Sequence, residues 1–150
     1  MNICYRVELS EAERTELQAM LSGVRHRIHY TLKANSSRAL LRLVRGLGAG
    51  AEVVSGGELR RALRAGFTGD EIVFGGVGKA DDELRAALDA RVMLINIESA
   101  AEVERLDELA RERGVTAPVG IRVNPELKLR TGTHQYIKRG EKGHKFGVAF

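Results

Sequence analysis

The sequence predicts an α/β protein in which parallel strands alternate with helices, organised as part of a (β/α)8 barrel of the TIM type. Two observations carry this prediction. Short apolar, strand-like runs recur at nearly even intervals, and a helical segment follows each of the first four. Strands joined through a helix run parallel, because a parallel pair needs a crossover of about a dozen residues. A doubly wound sheet would also satisfy this pattern, but the evenness of the repeat favours the barrel.

The elements follow from apolar periodicity. A possible short strand over residues 1–9 precedes a helix that begins at Ser10 and ends at Gly23. The strands are then predicted at Ile28–Leu32, Ala51–Val54, Ile72–Phe74, Met93–Ile97 and Pro118–Val123, and the helices between them at Arg38–Leu47, Glu58–Ala65, Asp82–Ala90 and Ala101–Arg113.

Helix ends carry their own signals. Ser55 and Ser99 each stand three residues before a glutamate, which is the spacing of a capping box at a helix start. Three of the helices are closed by glycines, the residue type that most often ends a helix: Gly48, Gly66 and Gly114.

The length of the chain limits how much of a barrel it can form. A whole barrel needs about 250 residues, and this sequence has 150. The repeat gives way to a polar stretch from Pro125 to Gly143, and an apolar run resumes at Lys145. We therefore expect residues 1–150 to be the N-terminal portion of a barrel domain, with its second half outside this sequence.

Composition narrows the class of protein. Hydrophobic residues make up 43% and charged residues 29% of the chain, as in globular proteins. No apolar run approaches the roughly 20 residues of a membrane span, and the start does not have the pattern of a signal peptide. The single cysteine, Cys4, excludes an internal disulfide and fits a reducing compartment. We expect a cytoplasmic protein without a membrane partner.

Positive charge is concentrated near the C-terminus. From Arg122 onward seven Lys or Arg residues face two glutamates. Nucleic acid would be one partner for such a segment, but few aromatic residues accompany the charge and no nucleic-acid motif is present. A solvated loop or a site for phosphate or carboxylate groups remain the alternatives, and we expect no nucleic-acid partner.

Polar residues at the ends of the predicted strands are the candidates for chemistry, because barrel active sites form at the carboxyl ends of the strands. Lys33 ends the first strand, Glu52 lies within the second, and Arg122 lies within the fifth. Alternation along a strand places Lys33 on the face opposite Tyr30 and Leu32. The other polar residues at these ends are Ser55, Asn96, Glu98 and Asn124.

Lys33 suits Schiff-base chemistry if it points into the fold. The amine must be neutral to attack an aldehyde, and burial disfavours the ammonium form. Arg122 would act in the same direction, whereas Glu52 would oppose it and could steer protons. The alternative is that Lys33 is a strand-end lysine whose amine reaches solvent.

The residues around Lys33 resemble the cofactor-attachment signature of the ornithine/diaminopimelate/arginine decarboxylase family, which are fold-type III enzymes that use pyridoxal phosphate (PLP). The resemblance runs in order from about residue 28 to residue 148 and is most similar to the diaminopimelate branch. The matching blocks are Tyr30–Asn35, Val53–Leu59, Gly76–Lys79, Ile95–Ser99, Arg122–Pro125, Thr133–His134 and Lys145–Gly147.

The resemblance implies roles for three residues. Lys33 would hold PLP as a Schiff base, Glu52 occupies the place of a family aspartate near that lysine, and Arg122 matches an arginine of the cofactor surroundings. No metal is implied. PLP would store the electrons released when the α-carboxylate of an amino-acid substrate leaves as CO₂.

The function implied is that of a fragment of a PLP-dependent carboxy-lyase converting meso-diaminopimelate to lysine and CO₂. The full-length enzymes of the family are homodimers, and their later phosphate-binding and ring-binding elements and C-terminal β domain lie beyond this sequence. We therefore expect the isolated chain to be inactive. The alternatives are a decarboxylase acting on ornithine or arginine, and a non-catalytic half-barrel that serves in binding or assembly.

Overall fold

The computed structural model describes Ala19, residues 22–124 and residues 148–149. Ala19 is helical, and Gly23 has a positive φ of 76°. The predicted strand over residues 1–9, most of the predicted helix over residues 10–23 and the polar stretch over residues 125–143 lie outside the described residues.

The described elements agree closely with those predicted. The strands are β1 (His29–Thr31), β2 (Gly50–Val53), β3 (Ile72–Phe74), β4 (Leu94–Ile97), β5 (Val119–Ile121), β6 (Val123–Asn124) and β7 (Val148–Ala149), and the helices are α1 (Arg38–Gly46), α2 (Gly56–Ala65), α3 (Asp81–Asp89) and α4 (Ala100–Glu112). In the part of the chain that the structure describes, no helix is long and apolar enough to cross a membrane.

The first five strands form one parallel sheet in the order β1-β2-β3-β4-β5. A doubly wound sheet reverses its strand order at a switch point, and this sheet does not. The prediction of a partial barrel rather than a doubly wound sheet is therefore confirmed. The single strand predicted over Pro118–Val123 is wrong in one respect, because it breaks at Arg122 and β6 pairs with β7 instead of β4.

Helix starts are built by the predicted caps. The Ser55 hydroxyl accepts the Glu58 N–H at 3.2 Å, and the Ser99 hydroxyl accepts the Glu102 N–H at the same distance. In a standard capping box the glutamate accepts the N–H of the capping residue itself. Here each glutamate accepts the N–H one residue earlier: Glu58 accepts from Val54, and Glu102 accepts from Glu98. Each cap thereby fixes the strand end that precedes it.

The core lies between the sheet and the four helices. Alternate strand residues point into it, and the same positions are buried on every strand from β2 to β4. The helices contribute apolar residues at helical spacing. The largest fully buried side chains include Leu32, Leu41, Leu59, Ile72, Phe74, Leu84, Ile95, Ile97, Leu106 and Leu109.

The amino-terminal end of the sheet is closed by a tight contact between two turns. Gly69, in the turn before β3, lies so close to the turn after α3 that a Cβ atom would come within 1.9 Å of the Ala90 carbonyl oxygen. The Met93 N–H donates to the Gly69 carbonyl at 2.9 Å. Among the described residues Arg91 alone has a positive φ without being glycine, at 52°. This contact joins β3 to β4 at the end opposite Lys33.

Ion pairs on the outer surface connect α3 with α4 and with the residue that follows α4. Arg105 pairs with Asp81, and Arg113 pairs with Asp89 at 2.7 Å. The hydrogen bonds from Arg105 and Arg113 lower the pKa of Asp81 and Asp89 respectively, and the pKa of each arginine is raised in turn. Such exposed pairs contribute little at neutral pH.

Candidate active site

The face of the sheet that points away from the helices carries the polar strand residues. Thr31, Glu52, Val73 and Leu94 lie side by side across β1 to β4 in the parallel register. None of the four is fully buried. In a closed barrel this face would be the interior, so its polar residues are the ones that could meet a ligand.

A cavity of about 580 Å³ opens at the carboxyl end of this face. Its volume lies within the range of small-molecule sites, which is roughly 300–1,000 Å³. All three predicted site residues line it. The full lining is Lys33, Glu52, Val54, Gly75, Gly76, Val77, Asn96, Glu98 and Arg122.

Lys33 reaches the cavity from just beyond the end of β1 and is exposed. Of the two alternatives for this lysine, the described residues leave its side chain open to solvent rather than buried. The physical reason is that the described residues form one wall of the site, with the sheet and helices on one side and no second layer opposite. No described residue pairs with the Lys33 amine, so it is available for reaction.

Glu52 is held in place by the neighbouring strand. The Thr31 hydroxyl donates a hydrogen bond to Glu52 Oε2, and the two residues lie opposite each other in the register of β1 and β2. Gly75 leaves room on the other side, because a Cβ there would come 3.2 Å from Glu52 Oε1. The carboxylate is thus oriented by a hydrogen bond on one oxygen, while the other oxygen lies beside Gly75, where no side chain takes up space.

Arg122 is positioned by its backbone and by a carboxylate. Its N–H donates to the Ile97 carbonyl at 3.0 Å, and its guanidinium pairs with Glu98 Oε1 at 2.9 Å. The Arg122 side chain is 43% exposed, whereas that of Glu98 is 7% exposed. The sequence placed Glu98 at a strand end without giving it a role, and the structure shows it as the anchor of the arginine.

A second lysine near the site, Lys79, was missed as a functional candidate. It lies in the loop between β3 and α3, and its side chain is only 1% exposed. Its amine contacts the Gly76 carbonyl at 2.8 Å, the Asn96 carbonyl at 2.5 Å and Glu102 Oε1 at 2.8 Å. Its position in the block Gly76–Lys79 was the available signal, but its partners are distant in sequence.

The chemistry of these groups fits an aldehyde cofactor. The cavity combines an accessible amine, a fixed carboxylate and a paired guanidinium with a wall made of glycine backbone. An amine is what an aldehyde condenses with, and cations and glycine-rich backbone suit anionic groups. Of the two lysines among the described residues, Lys79 is buried and paired, whereas Lys33 is exposed and has no partner there. No cluster of three His, Cys, Asp or Glu side chains able to hold a metal ion occurs among the described residues.

Comparison with known proteins identifies the class of protein to which this fold and cavity belong. Residues 8–150 match the family described as the pyridoxal binding domain of pyridoxal-dependent decarboxylases. The chain belongs to this family, and the resemblance found in the sequence is confirmed.

Two relatives are similar to this chain over most of its length. Diaminopimelate decarboxylase of Pseudomonas fluorescens is 46% identical over 140 residues, which are 93% of this chain and 33% of that protein. The crystal structure of diaminopimelate decarboxylase from Helicobacter pylori, complexed with L-lysine, has a TM-score of 0.79 at 38% identity, covering 91% of this chain and 35% of that one.

A more distant structure shows the same fold. The arginine decarboxylase of Paramecium bursaria Chlorella virus has a TM-score of 0.68 at 19% identity, covering 92% of this chain and 34% of that one. The chain spans about a third of the length of the curated relatives that it matches.

Proposed function

We propose that this chain is the N-terminal portion of a PLP-dependent amino-acid decarboxylase whose substrate is meso-diaminopimelate and whose products are lysine and CO₂. The observation that supports it best is the meeting of Lys33, Glu52 and Arg122 at one cavity on the carboxyl end of a parallel sheet. The substrate is inferred from relatives that are diaminopimelate decarboxylases.

The three residues have distinct tasks in this proposal. Lys33 supplies the amine that attaches the cofactor, and its accessible position lets the aldehyde reach it. Glu52, oriented by Thr31, holds negative charge beside the ring-binding space. Arg122, kept in place by Glu98, presents a cation to an anionic group of the bound molecule. When bound, PLP supplies the electron sink for loss of the α-carboxylate.

Domain organisation belongs to the same proposal. The described sheet supplies one wall of a barrel, and we place the remaining strands and a second domain in the part of the relatives that this chain does not span. A complete site would then need groups from beyond residue 150, and from a partner subunit in a homodimer. The chain alone should therefore hold PLP weakly and turn over no substrate.

The experiment is covalent trapping. The purified chain is incubated with PLP, reduced with borohydride and digested, and the modified peptides are identified by mass spectrometry. Label at Lys33 is expected, with none at Lys79, because Lys79 is buried and fully paired. Lys33→Met is the control variant and should lose the label. Label spread evenly over surface lysines, unchanged in Lys33→Met, would refute the role of Lys33.

Turnover measurements test whether the site is incomplete. The chain, supplied with PLP, is assayed for CO₂ release from meso-diaminopimelate, ornithine and arginine in parallel. No release is expected from any of them. Sustained release would refute the proposal that the site is incomplete, and the preferred amino acid would then decide between diaminopimelate and the other two substrates.

A further inference from the structure

The geometry points to Lys79 as a positioning residue that fixes the wall of the cavity formed by the end of β4 and the glycine turn after β3. The inference rests on the proposed function for its ligand. Lys79 itself does not line the cavity, but two of the residues whose carbonyl groups it binds, Gly76 and Asn96, do.

Each donor of the Lys79 ammonium has one acceptor. Two acceptors are main-chain carbonyls, that of Gly76 after β3 and that of Asn96 in β4. The third is the carboxylate of Glu102, whose side chain is 9% exposed. A buried charge is tolerated only when it is paired and hydrogen-bonded. The lysine therefore joins three segments that are distant in sequence: the turn after β3, the end of β4 and the first turn of α4.

The link continues from Glu102 to the cavity. Glu102 Oε1 accepts from Lys79, while Glu102 Oε2 accepts the Glu98 N–H at 2.9 Å. Glu98 in turn pairs with Arg122. Lys79 thus fixes the Glu102 carboxylate, which binds the backbone N–H of Glu98. Glu98 in turn anchors Arg122, the residue proposed to face the ligand.

An equivalent cap without such a lysine lies on the same sheet and serves as an internal reference. After β2, Glu58 Oε2 accepts the Val54 N–H at 2.9 Å, and Ser55 caps α2 as Ser99 caps α4. No lysine among the described residues contacts Glu58. The two caps therefore differ in the Lys79 contact, and the amides of Val54 and Glu98 can be compared within one molecule.

The first test needs no cofactor. Hydrogen exchange of the Glu98 and Val54 amides is measured by NMR in the unmodified chain and in Lys79→Met. Loss of the ammonium leaves Glu102 unpaired, so the carboxylate turns toward water and releases the Glu98 amide. We expect Glu98 exchange to accelerate by roughly tenfold or more relative to Val54. Global destabilisation would accelerate both amides alike, and an unchanged ratio would overturn the inference.

The second test separates positioning from stability. In the double variant Lys79→Met/Glu102→Gln no unpaired charge remains, so stability should return toward that of the unmodified chain. The hydrogen bonds to the Gly76 and Asn96 carbonyls are still missing in this double variant. Trapping of PLP at Lys33 should therefore be roughly tenfold slower than in the unmodified chain, since misplaced binding groups slow a reaction. Trapping that recovers together with the unfolding midpoint would reduce Lys79 to a structural residue.

The two proposals fail in different ways. If the unmodified chain shows no label at Lys33, the proposed function fails, and the exchange ratio of Glu98 to Val54 still decides whether Lys79 fixes the end of β4. If Lys33 is labelled equally fast in the unmodified chain and in both Lys79 variants, the proposed function stands and the positioning role is wrong.

Discussion

Gly69→Ala is expected to destabilise the protein strongly, because the residue lies against the main chain of a neighbouring turn. A Cβ atom at this position would be 1.9 Å from the Ala90 carbonyl oxygen and 2.5 Å from that of Arg91, whereas ordinary contact begins near 3.4 Å. The two turns would have to separate by about 1.5 Å, and backbone atoms, unlike a flexible side chain, cannot give way locally.

The magnitude follows from what that separation breaks. Overpacking of this kind costs about 1–3 kcal/mol. The Met93 N–H donates to both the Gly69 and the Ile72 carbonyls at 2.9 Å. Because the Ile72 partner remains, losing the Gly69 partner adds only roughly 0.5 kcal/mol, the low end for a hydrogen bond. Replacing glycine restricts the unfolded chain and returns about 0.4–1 kcal/mol. The net loss in the free energy of unfolding is therefore about 0.5–3 kcal/mol, measured by urea unfolding followed by circular dichroism.

A matched substitution supplies the control. Gly57 lies in the first turn of α2, and a Cβ there would meet nothing nearer than Ser55 Oγ at 3.7 Å. Gly57→Ala should therefore stabilise the protein by about 0.5–1 kcal/mol, as alanine does in helices. A Gly69→Ala variant as stable as the unmodified protein, or a loss of equal size in Gly57→Ala, would refute the reasoning.

Three further predictions address the cavity, a helix cap and the outer ion pairs. Gly75→Ala should reduce borohydride-trapped PLP at Lys33 while leaving the unfolding midpoint nearly unchanged, because its Cβ would come 3.2 Å from Glu52 Oε1; undiminished labelling would show that this wall does not limit binding. Ser99→Ala should lower the free energy of unfolding by about 1 kcal/mol through loss of the cap on α4, and no change in urea unfolding would contradict the cap. The pKa of Asp81 is lowered in the folded state by its hydrogen bond from Arg105, so the stability it contributes is present above the ordinary carboxyl pKa, and is lost as pH falls through the folded value. In urea unfolding from pH 7 to pH 3, the free energy of unfolding should therefore fall less in Asp81→Asn than in the unmodified protein. Identical pH profiles would show that the pair of Asp81 with Arg105 does not contribute to the acid dependence of stability.

The parts of the fold that were predictable are those encoded locally. Apolar runs and helix-end signals identified β1 to β5 and the four helices to within one or two residues, and the ends of these strands located the cavity. Alternation within a strand accounts for Glu52 facing away from its buried neighbours Ala51 and Val53, because side-chain direction needs only the strand's own period. For the same reason Lys33 and Arg122 could be assigned to the site end before any contact was known.

The parts that were not predictable depend on residues distant in sequence. Lys79 finds its carboxylate 23 residues away in Glu102, and no periodic pattern signals such a pairing. The exposure of Lys33 depends on what lies opposite the sheet, which a strand pattern does not report. The break of the fifth strand at Arg122 likewise arises from a new pairing between β6 and β7.

The contact between Gly69 and the Ala90–Arg91 turn has a practical consequence for redesign. It lies at the end of the sheet remote from the cavity, so changes there alter folding without touching a group that meets the ligand. Arg91 holds a left-handed conformation that side-chain-bearing residues resist, and glycine or asparagine at that position would relieve it. Substitutions at this end could first raise the thermal stability of the protein. The residues that line the cavity could then be varied in that more stable variant.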